Sequence, residues 1–182
     1  MVRFFTRLMQ RGKIMKEIKY NEHAKEVLEI LQKGAFLTTH ADGKTNTMTI
    51  GWGYLGYSWR KPVFGVMVRH NRYTHNLLDK NGQFTVTLPK EDLSKELAFC
   101  GAKSGLQTDK IKACGFSLLS AQTVDVPLIA CRGFQYECKV LCKMEMQRPL
   151  VEEIVRETWY EKMPDDYHTF YFGEITACYL TE

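Results

Sequence analysis

Gly51-Trp52-Gly53-Tyr54-Leu55-Gly56 spells G-x-G-x-x-G directly after a run, 45–50, that reads as a β-strand. A dinucleotide-binding reading of that pattern needs a helix to open at the glycines, so that free backbone N–H groups face a pyrophosphate. The residues that follow, Tyr57-Ser58-Trp59-Arg60-Lys61-Pro62-Val63, cannot start a packed helix and lead into an apolar, β-branched run at 62–69. No acidic residue stands about twenty positions on, where a ribose contact would need one. The parallel, doubly wound fold is therefore rejected. The glycines read instead as a barrel corner, or as backbone that lets a flat ligand approach.

Outward from this stretch, the chain alternates hairpins and helices without a regular βα rhythm. Upstream, Asn21 is expected to cap a helix that buries Ala24, Val27, Leu28 and Leu31 and ends at Gly34. Strands at 35–40 and 45–50 are joined by the hairpin pair Asp42-Gly43. Downstream, residues 51–61 read as irregular and 62–69 as a buried strand. Asn71 caps a helix to 81, and 83–88 alternates as a strand closed by Pro89. A helix at 90–100, a glycine-bearing loop at 101–105 and a short helix at 109–114 come next. Then follow one long extended stretch at 129–146, a helical pattern at 149–159 and a last strand at 169–180. That order predicts a mainly β protein with added helices, built as a closed antiparallel barrel.

With 182 residues the chain fits one domain, 15–182, and its net charge of +4 lacks the clustered basic excess of a DNA-binding domain. No run is long enough to span a bilayer, so no membrane role and a cytoplasmic location are expected. The six cysteines contain no C-x-x-C, which favours free thiols over a zinc ribbon or a redox dithiol, and no His/Asp/Glu cluster has metal spacing. Residues 1–14 carry Arg3, Arg7, Arg11 and Lys13 and no acid. They read either as a targeting helix or, the reading preferred, as a non-native or flexible leader before Met15.

Four segments carry the chemistry. They are Asn46-Thr47-Met48-Thr49-Ile50-Gly51-Trp52-Gly53, Val68-Arg69-His70-Asn71-Arg72-Tyr73-Thr74, Gly101-Ala102-Lys103-Ser104-Gly105 with Asp109-Lys110, and 166–175 around Tyr167-His168. Taken in order, they resemble the flavin reductase-like, FMN-binding split-barrel family, which includes flavoredoxins. The resemblance runs from about Phe36 to Ile175. It implies a split β-barrel of Greek-key type, a homodimer, and one FMN per subunit near the subunit interface. It also implies Asn46, Met48, Thr49, Ile50, Gly51 and Trp52 along the isoalloxazine, and Arg69, Arg72, Tyr73 and Thr74 on the phosphate side. Lys103-Ser104-Gly105 would close over the cofactor, and Tyr167 and His168 would approach the ring, His168 as the candidate catalytic residue. Ala102 and Leu106-Gln107 depart from the polar loop that the family pattern leads one to expect.

The residues alone point the same way. Arginines flanking a helix cap offer charge-assisted bidentate donors beside free N–H groups, a seat for phosphate. Reduced flavin carries negative charge that backbone N–H groups of 49–51 and Lys103 can stabilise, and hydride transfer to flavin needs no protein nucleophile. Against this, Arg69 and Arg72 also read as solvated strand-end charges, Trp59 as a core or interface aromatic, and His168 as a hydrogen-bonded barrel residue. His23, His40 and His75 read as surface or capping residues. Three functions remain open. The first is an oxidoreductase moving hydride from NAD(P)H onto flavin and electrons onward to a protein or flavin acceptor. The second is a flavoredoxin-type FMN carrier without substantial NAD(P)H turnover. The third, a barrel binding single-stranded nucleic acid, is disfavoured because the basic residues trace no stripe.

Overall fold

Asp42-Gly43 turns the chain as expected in the computed structural model, which describes residues 7–10 and 12–182. Both residues adopt positive φ, 51° and 71°, the handedness that a two-residue hairpin demands. The turn joins β3 (Ala35–Ala41) to β4 (Lys44–Ile50), with Phe36 opposite Thr49 and Leu37 opposite Met48. A second hairpin pairs β5 (Gly53–Ser58), inside the stretch expected to be irregular, with β6 (Lys61–Arg69), the expected buried strand. Its turn is Trp59-Arg60, again with two positive φ angles but with neither glycine nor asparagine to announce it. The glycines of the G-x-G-x-x-G thus lie at the entry to and within a strand, and no helix opens there.

The remaining strands are β7 (Gln83–Pro89), the short pair β8 (Leu118–Leu119) and β9 (Leu128–Ile129), β10 (Gly133–Glu145) and β11 (His168–Thr181). Hydrogen-bonded neighbours run β4-β3-β7-β10-β11-β6-β5, all antiparallel. The path leaves β4 and β5 as its two ends, so the barrel is split between them. This is the expected mainly β fold with added helices, a split barrel whose strand order departs from sequence order in Greek-key fashion. The predicted single stretch at 129–146 is divided: β9 ends before a bend at 131–132, and β10 carries irregularities at Glu137/Cys138 and Val140/Cys142 that curve it.

Among the described residues, five α-helices dress the barrel: α1 (Ala24–Lys33), α2 (Tyr73–Asn81), α3 (Ser94–Ala102), α4 (Lys110–Ala113) and α5 (Glu153–Trp159). Two expected caps are corrected. His23, not Asn21, occupies the N-cap of α1, and Arg72, in extended conformation, occupies that of α2. Asn71 is drawn elsewhere: its N–H donates to Asp166 Oδ1 at 2.9 Å and its side-chain amide to Met163 Sδ. Asp109 does cap α4, accepting from Lys112 N at 3.0 Å.

Residues 1–6 and 11 lie outside the described residues. Within the expected leader, β1 (Arg7–Gln10) pairs with β2 (Lys13–Glu17) around Gly12 at φ 75°, which differs from an unpaired segment. The ladder from β2 to β11 begins at Met15, whose side chain is fully buried against Leu119, Leu128 and Tyr179. Phe64, Phe84, Phe134, Tyr136 and Tyr171 fill the barrel, each burying on the order of 150–250 Å². No helix among the described residues is long and apolar enough to cross a membrane.

Candidate functional site: a basic groove at the barrel seam

The split between β4 and β5 leaves the end of β4 without a ladder partner on its seam side, and a groove opens there. One lobe, about 160 Å³, is lined by Met48, Thr49, Ile50, Gly51 and Trp52 from the end of β4, by Met67 and Arg69 from β6, and by Arg72 and His168. A second lobe, about 210 Å³, is lined by Asn46, Tyr73 and Thr74, by the Lys103-Ser104-Gly105 turn, and by Lys110. Met48 and Arg72 line both lobes and join them. Every residue expected at the site lies here except Tyr167. That side chain stacks on Tyr160 at 4.4 Å and faces a different cleft, beside Arg148 and Arg156. Neighbouring residues of an extended segment point to opposite sides, so Tyr167 and His168 cannot share one surface.

Local bonds hold each wall. Asn46 Nδ2 donates to Thr74 Oγ1 at 2.8 Å, tying β4 to the first turn of α2. Thr49 Oγ1 donates to Leu97 O at 2.6 Å, tying β4 to α3. Gly105 sits so close to β4 that a Cβ there would come 2.0 Å from Asn46 Oδ1. The two arginines part company. Arg72 Nη1 donates to Gly101 O at 2.9 Å, which leaves most of its five donors for the groove. Arg69 turns toward the 159–166 segment: it donates to Trp159 O at 2.7 Å and to Asp166 O at 3.2 Å, with its guanidinium carbon 4.9 Å from the Tyr160 ring centre.

His168 is buried, 7% exposed, with Tyr160 Oη 2.6 Å from its Nδ1 and the Trp52 ring at 5.2 Å. Burial, followed by the nearby Arg69 and Arg72 charges and His70, pushes its pKa down to about 4. The ring is therefore neutral near pH 7. Its Nδ1 shares a hydrogen bond with the Tyr160 hydroxyl in which either group can donate, so both neutral tautomers keep that bond. A His whose folded pKa lies below its unfolded 6.5 favours folding above pH 6.5, and that contribution fades as pH falls toward 4. The shift corresponds to about 3 kcal/mol. Denaturation midpoints should drop between pH 7 and 4.5 in the wild type and drop distinctly less in His168→Phe. Parallel pH profiles would show that His168 is not the group responsible.

In or beside the groove lie residues to which the sequence reading gave no site role. Lys110 is only 4% exposed and donates to Cys100 O and Lys103 O. Trp159 packs edge-on against Trp52 at 4.9 Å. His70 and His75, the latter expected at the surface or a cap, both meet Thr169 Oγ1 at 3.1 Å, away from the groove. A larger cavity, about 750 Å³, lies between α1 and α3 beyond Thr49. It mixes Glu26, Glu91 and Asp92 with Lys33 and Lys90, whereas neither lobe of the groove is lined by a carboxylate. Among the described residues, no cluster of His, Cys, Asp or Glu has the makings of a metal site.

Comparison with known proteins agrees with this geometry. A family model described as a flavin reductase like domain matches residues 30–182. A protein of Archaeoglobus fulgidus is 32% identical over 102 residues, 56% of this chain and 57% of that one, so the chain spans little more than half of that relative's length. The crystal structure of flavoredoxin from Methanosarcina acetivorans superimposes with a TM-score of 0.63 at 26% identity, covering 81% of this chain and 67% of that chain. Nitrilotriacetate monooxygenase component B from Bacillus cereus shares the fold, with a TM-score of 0.64 at 15% identity over 90% of this chain and 80% of that chain.

Proposed function

Because the chain belongs to the flavin reductase-like domain family, we propose that its seam groove holds FMN and that the protein is an oxidoreductase taking hydride from NAD(P)H and passing electrons to an acceptor. The observation that carries this reading is the charge of the groove. Arg72, Lys103 and Lys110 line it together with Arg69, whose charge is paired with Asp166 Oδ2 at 3.7 Å, and no carboxylate is part of the lining. The residues suit the cofactor. Arg72, the Lys103-Ser104-Gly105 turn and the first turn of α2 supply donors for a phosphate ester, and the close packing of Gly105 on Asn46 supports a turn fixed in place. Met48 to Trp52 and His168 supply an apolar wall with polar points for a ring system.

FMN, when bound, supplies the capacity to accept a hydride and release electrons singly or in pairs. The chain's own part is to seat it and to hold protons. Trp52, packed between His168 and Trp159, limits water at the groove mouth, and His168 lines the groove as a neutral hydrogen-bonding ring. The basic lining favours negative charge developing in the groove. Exposed Trp59, in the turn between β5 and β6, packs on Phe172 of β11, and exposed Met144 of β10 pairs across the ladder with Phe170, which stacks on Phe172; this apolar patch suits a homodimer.

The similarity to flavoredoxin supports a second reading, an FMN carrier with little NAD(P)H turnover that exchanges electrons with protein partners. One experiment separates the two. Purified protein should show the visible absorbance of flavin in a particle of two chains, and anaerobic NADH or NADPH should bleach it. A yellow protein that bleaches with dithionite and not with either nicotinamide would select the carrier. A colourless protein that takes up no added FMN would overturn both.

A further inference from the structure

The groove has an electrostatic fault that the fold must correct. It lies beside two helix ends of opposite sign. The N-terminus of α2, at Arg72-Tyr73, is the favourable one for an anion. The C-terminus of α3 points its last carbonyls at the same space, and a bare helix C-terminus repels negative charge. Those carbonyls are covered by two cations: Lys110 Nζ donates to Cys100 O at 3.2 Å and to Lys103 O at 3.3 Å, while Arg72 donates to Gly101 O. Lysine is almost never this buried without a partner that requires it. Here Lys110 lies 4% exposed and partnered by carbonyls alone, on the lining of the phosphate lobe.

We propose that Lys110 is the positioning residue of the phosphate seat. Its ammonium ties the carbonyls of Cys100 and Lys103, cancels the negative pole of α3, and so lets the Lys103-Ser104-Gly105 turn present its donors to a phosphate ester. This rests on the reading of the groove as a flavin phosphate site and adds the residue that makes the site tolerate two negative charges. The remaining Lys110 proton is free to face the ligand, since an ammonium has three donors and the two carbonyls use two.

The surroundings add a pH signature. Burial pulls the Lys110 pKa down to about 8; the Cys100 thiol opposes that shift, Arg72 adds to it, and the Cys114 thiol opposes it in turn. Those groups, with Lys103 on the turn and the Tyr73 phenol of α2, are the titratable and charged ones around it on α2 and its cap, α3, α4 and the loop; β4 contributes the uncharged Asn46 and Met48. A phosphate dianion favours the ammonium, so binding near pH 8 must draw a proton from solvent, neutral amine plus proton giving ammonium. The phosphate itself titrates near pH 6 and stays a dianion across this range.

The test uses flavin-free protein titrated with FMN and with riboflavin at pH 7, 8 and 9, together with calorimetry at pH 8 in two buffers of unlike ionisation heat. Wild type should lose FMN affinity as pH rises through 8, hold riboflavin affinity flat, and take up protons with FMN only. Lys110→Met should bind FMN about tenfold or more weakly, riboflavin within a few-fold of wild type, and take up no proton. Lys110→Arg, charged at every pH used, should restore FMN affinity and still take up none. Proton uptake persisting in Lys110→Met, or equal losses for both flavins in a variant that melts like wild type, would overturn the proposal. A Lys110→Met that does not fold leaves the decision to Lys110→Arg, where surviving proton uptake overturns it. Wild type that binds FMN and riboflavin equally would sink the phosphate-site reading, and this inference with it.

Discussion

Replacing Gly133 with alanine should leave little folded protein. Gly133 opens β10 with φ at 153°, between Pro89 of β7 on one side and Thr181 of β11 on the other. A Cβ at that position would lie 2.1 Å from Leu88 O and 3.0 Å from both Leu88 C and Pro89 Cα. All three atoms are backbone of a central strand, so no rotamer change relieves the clash. Relief requires β7 and β10 to separate, which breaks a ladder running from Gly133↔Pro89 to Lys139↔Gln83. Substitutions that force such changes cost more than about 4 kcal/mol, against a total stability of roughly 5–15 kcal/mol. Gly82→Ala is the control: Gly82 also has positive φ, 64°, yet nothing lies within 4 Å of its Cβ position, so only backbone strain of about 1–2 kcal/mol is expected. Denaturant unfolding of the two variants checks this. A Gly133→Ala protein as stable as Gly82→Ala would show that β7 and β10 can move apart far more easily than their pairing implies.

Arg72→Ala is expected to weaken FMN ten- to a hundred-fold and riboflavin far less. One guanidinium N–H of Arg72 reaches Gly101 O, and the rest of the head lines both lobes of the groove. Hydrogen bonds to charged groups contribute about 1.5–3 kcal/mol, and each 1.4 kcal/mol is tenfold in affinity. Riboflavin lacks the phosphate, so a phosphate contact shows as a change in the ratio of the two affinities. Arg69→Ala should behave differently, because its donors hold Trp159 O and Asp166 and fix the segment that presents Tyr160 to His168. Losing that brace should weaken both flavins alike. Fluorescence titration of wild type and both variants decides the matter. An unchanged FMN-to-riboflavin ratio in Arg72→Ala would move the phosphate contact to the Lys103 turn alone.

The contrast between the arginines shows where the sequence was legible. Both stand in one short motif, and nothing in the spacing says that one guanidinium keeps most of its donors for the groove while the other spends its donors on the 159–166 segment. The hairpin at Asp42-Gly43 could be read because its residues tolerate positive φ; Trp59-Arg60 makes the same kind of turn with residues that do not advertise it, and β5 was missed with it. Lys110 was invisible as a buried group, since burial runs against every expectation for lysine and its partners are carbonyls of α3 and the following loop. The groove itself gathers β4, β6, α2, the loop after α3 and the start of β11. No periodicity within any one segment announces that meeting; the joint likeness of four segments to a known family did. Tyr167 was misplaced for a local reason, because a dipeptide motif names two residues and an extended chain can send only one of them inward.

The 14-residue strand β11 governs how the molecule comes together in time. It is bonded along one side to β10, and along the other to β2 near its end and to β6 near its start. Tyr179 meets Glu17 and Glu174 meets Val63, partners that lie far back along the chain. Long loops must therefore close before these ladders offer any return, which places folding toward the slow, millisecond-to-second end seen for proteins dominated by non-local pairing. Until β11 docks, the facing edges of β2, β6 and β10 all stand open, and open edges pair with whatever strand arrives first. The interval before that docking is when a crowded refolding reaction loses molecules to aggregates. Dilution makes encounters during that interval rarer, and any ligand that holds β6 and the start of β11 together shortens it.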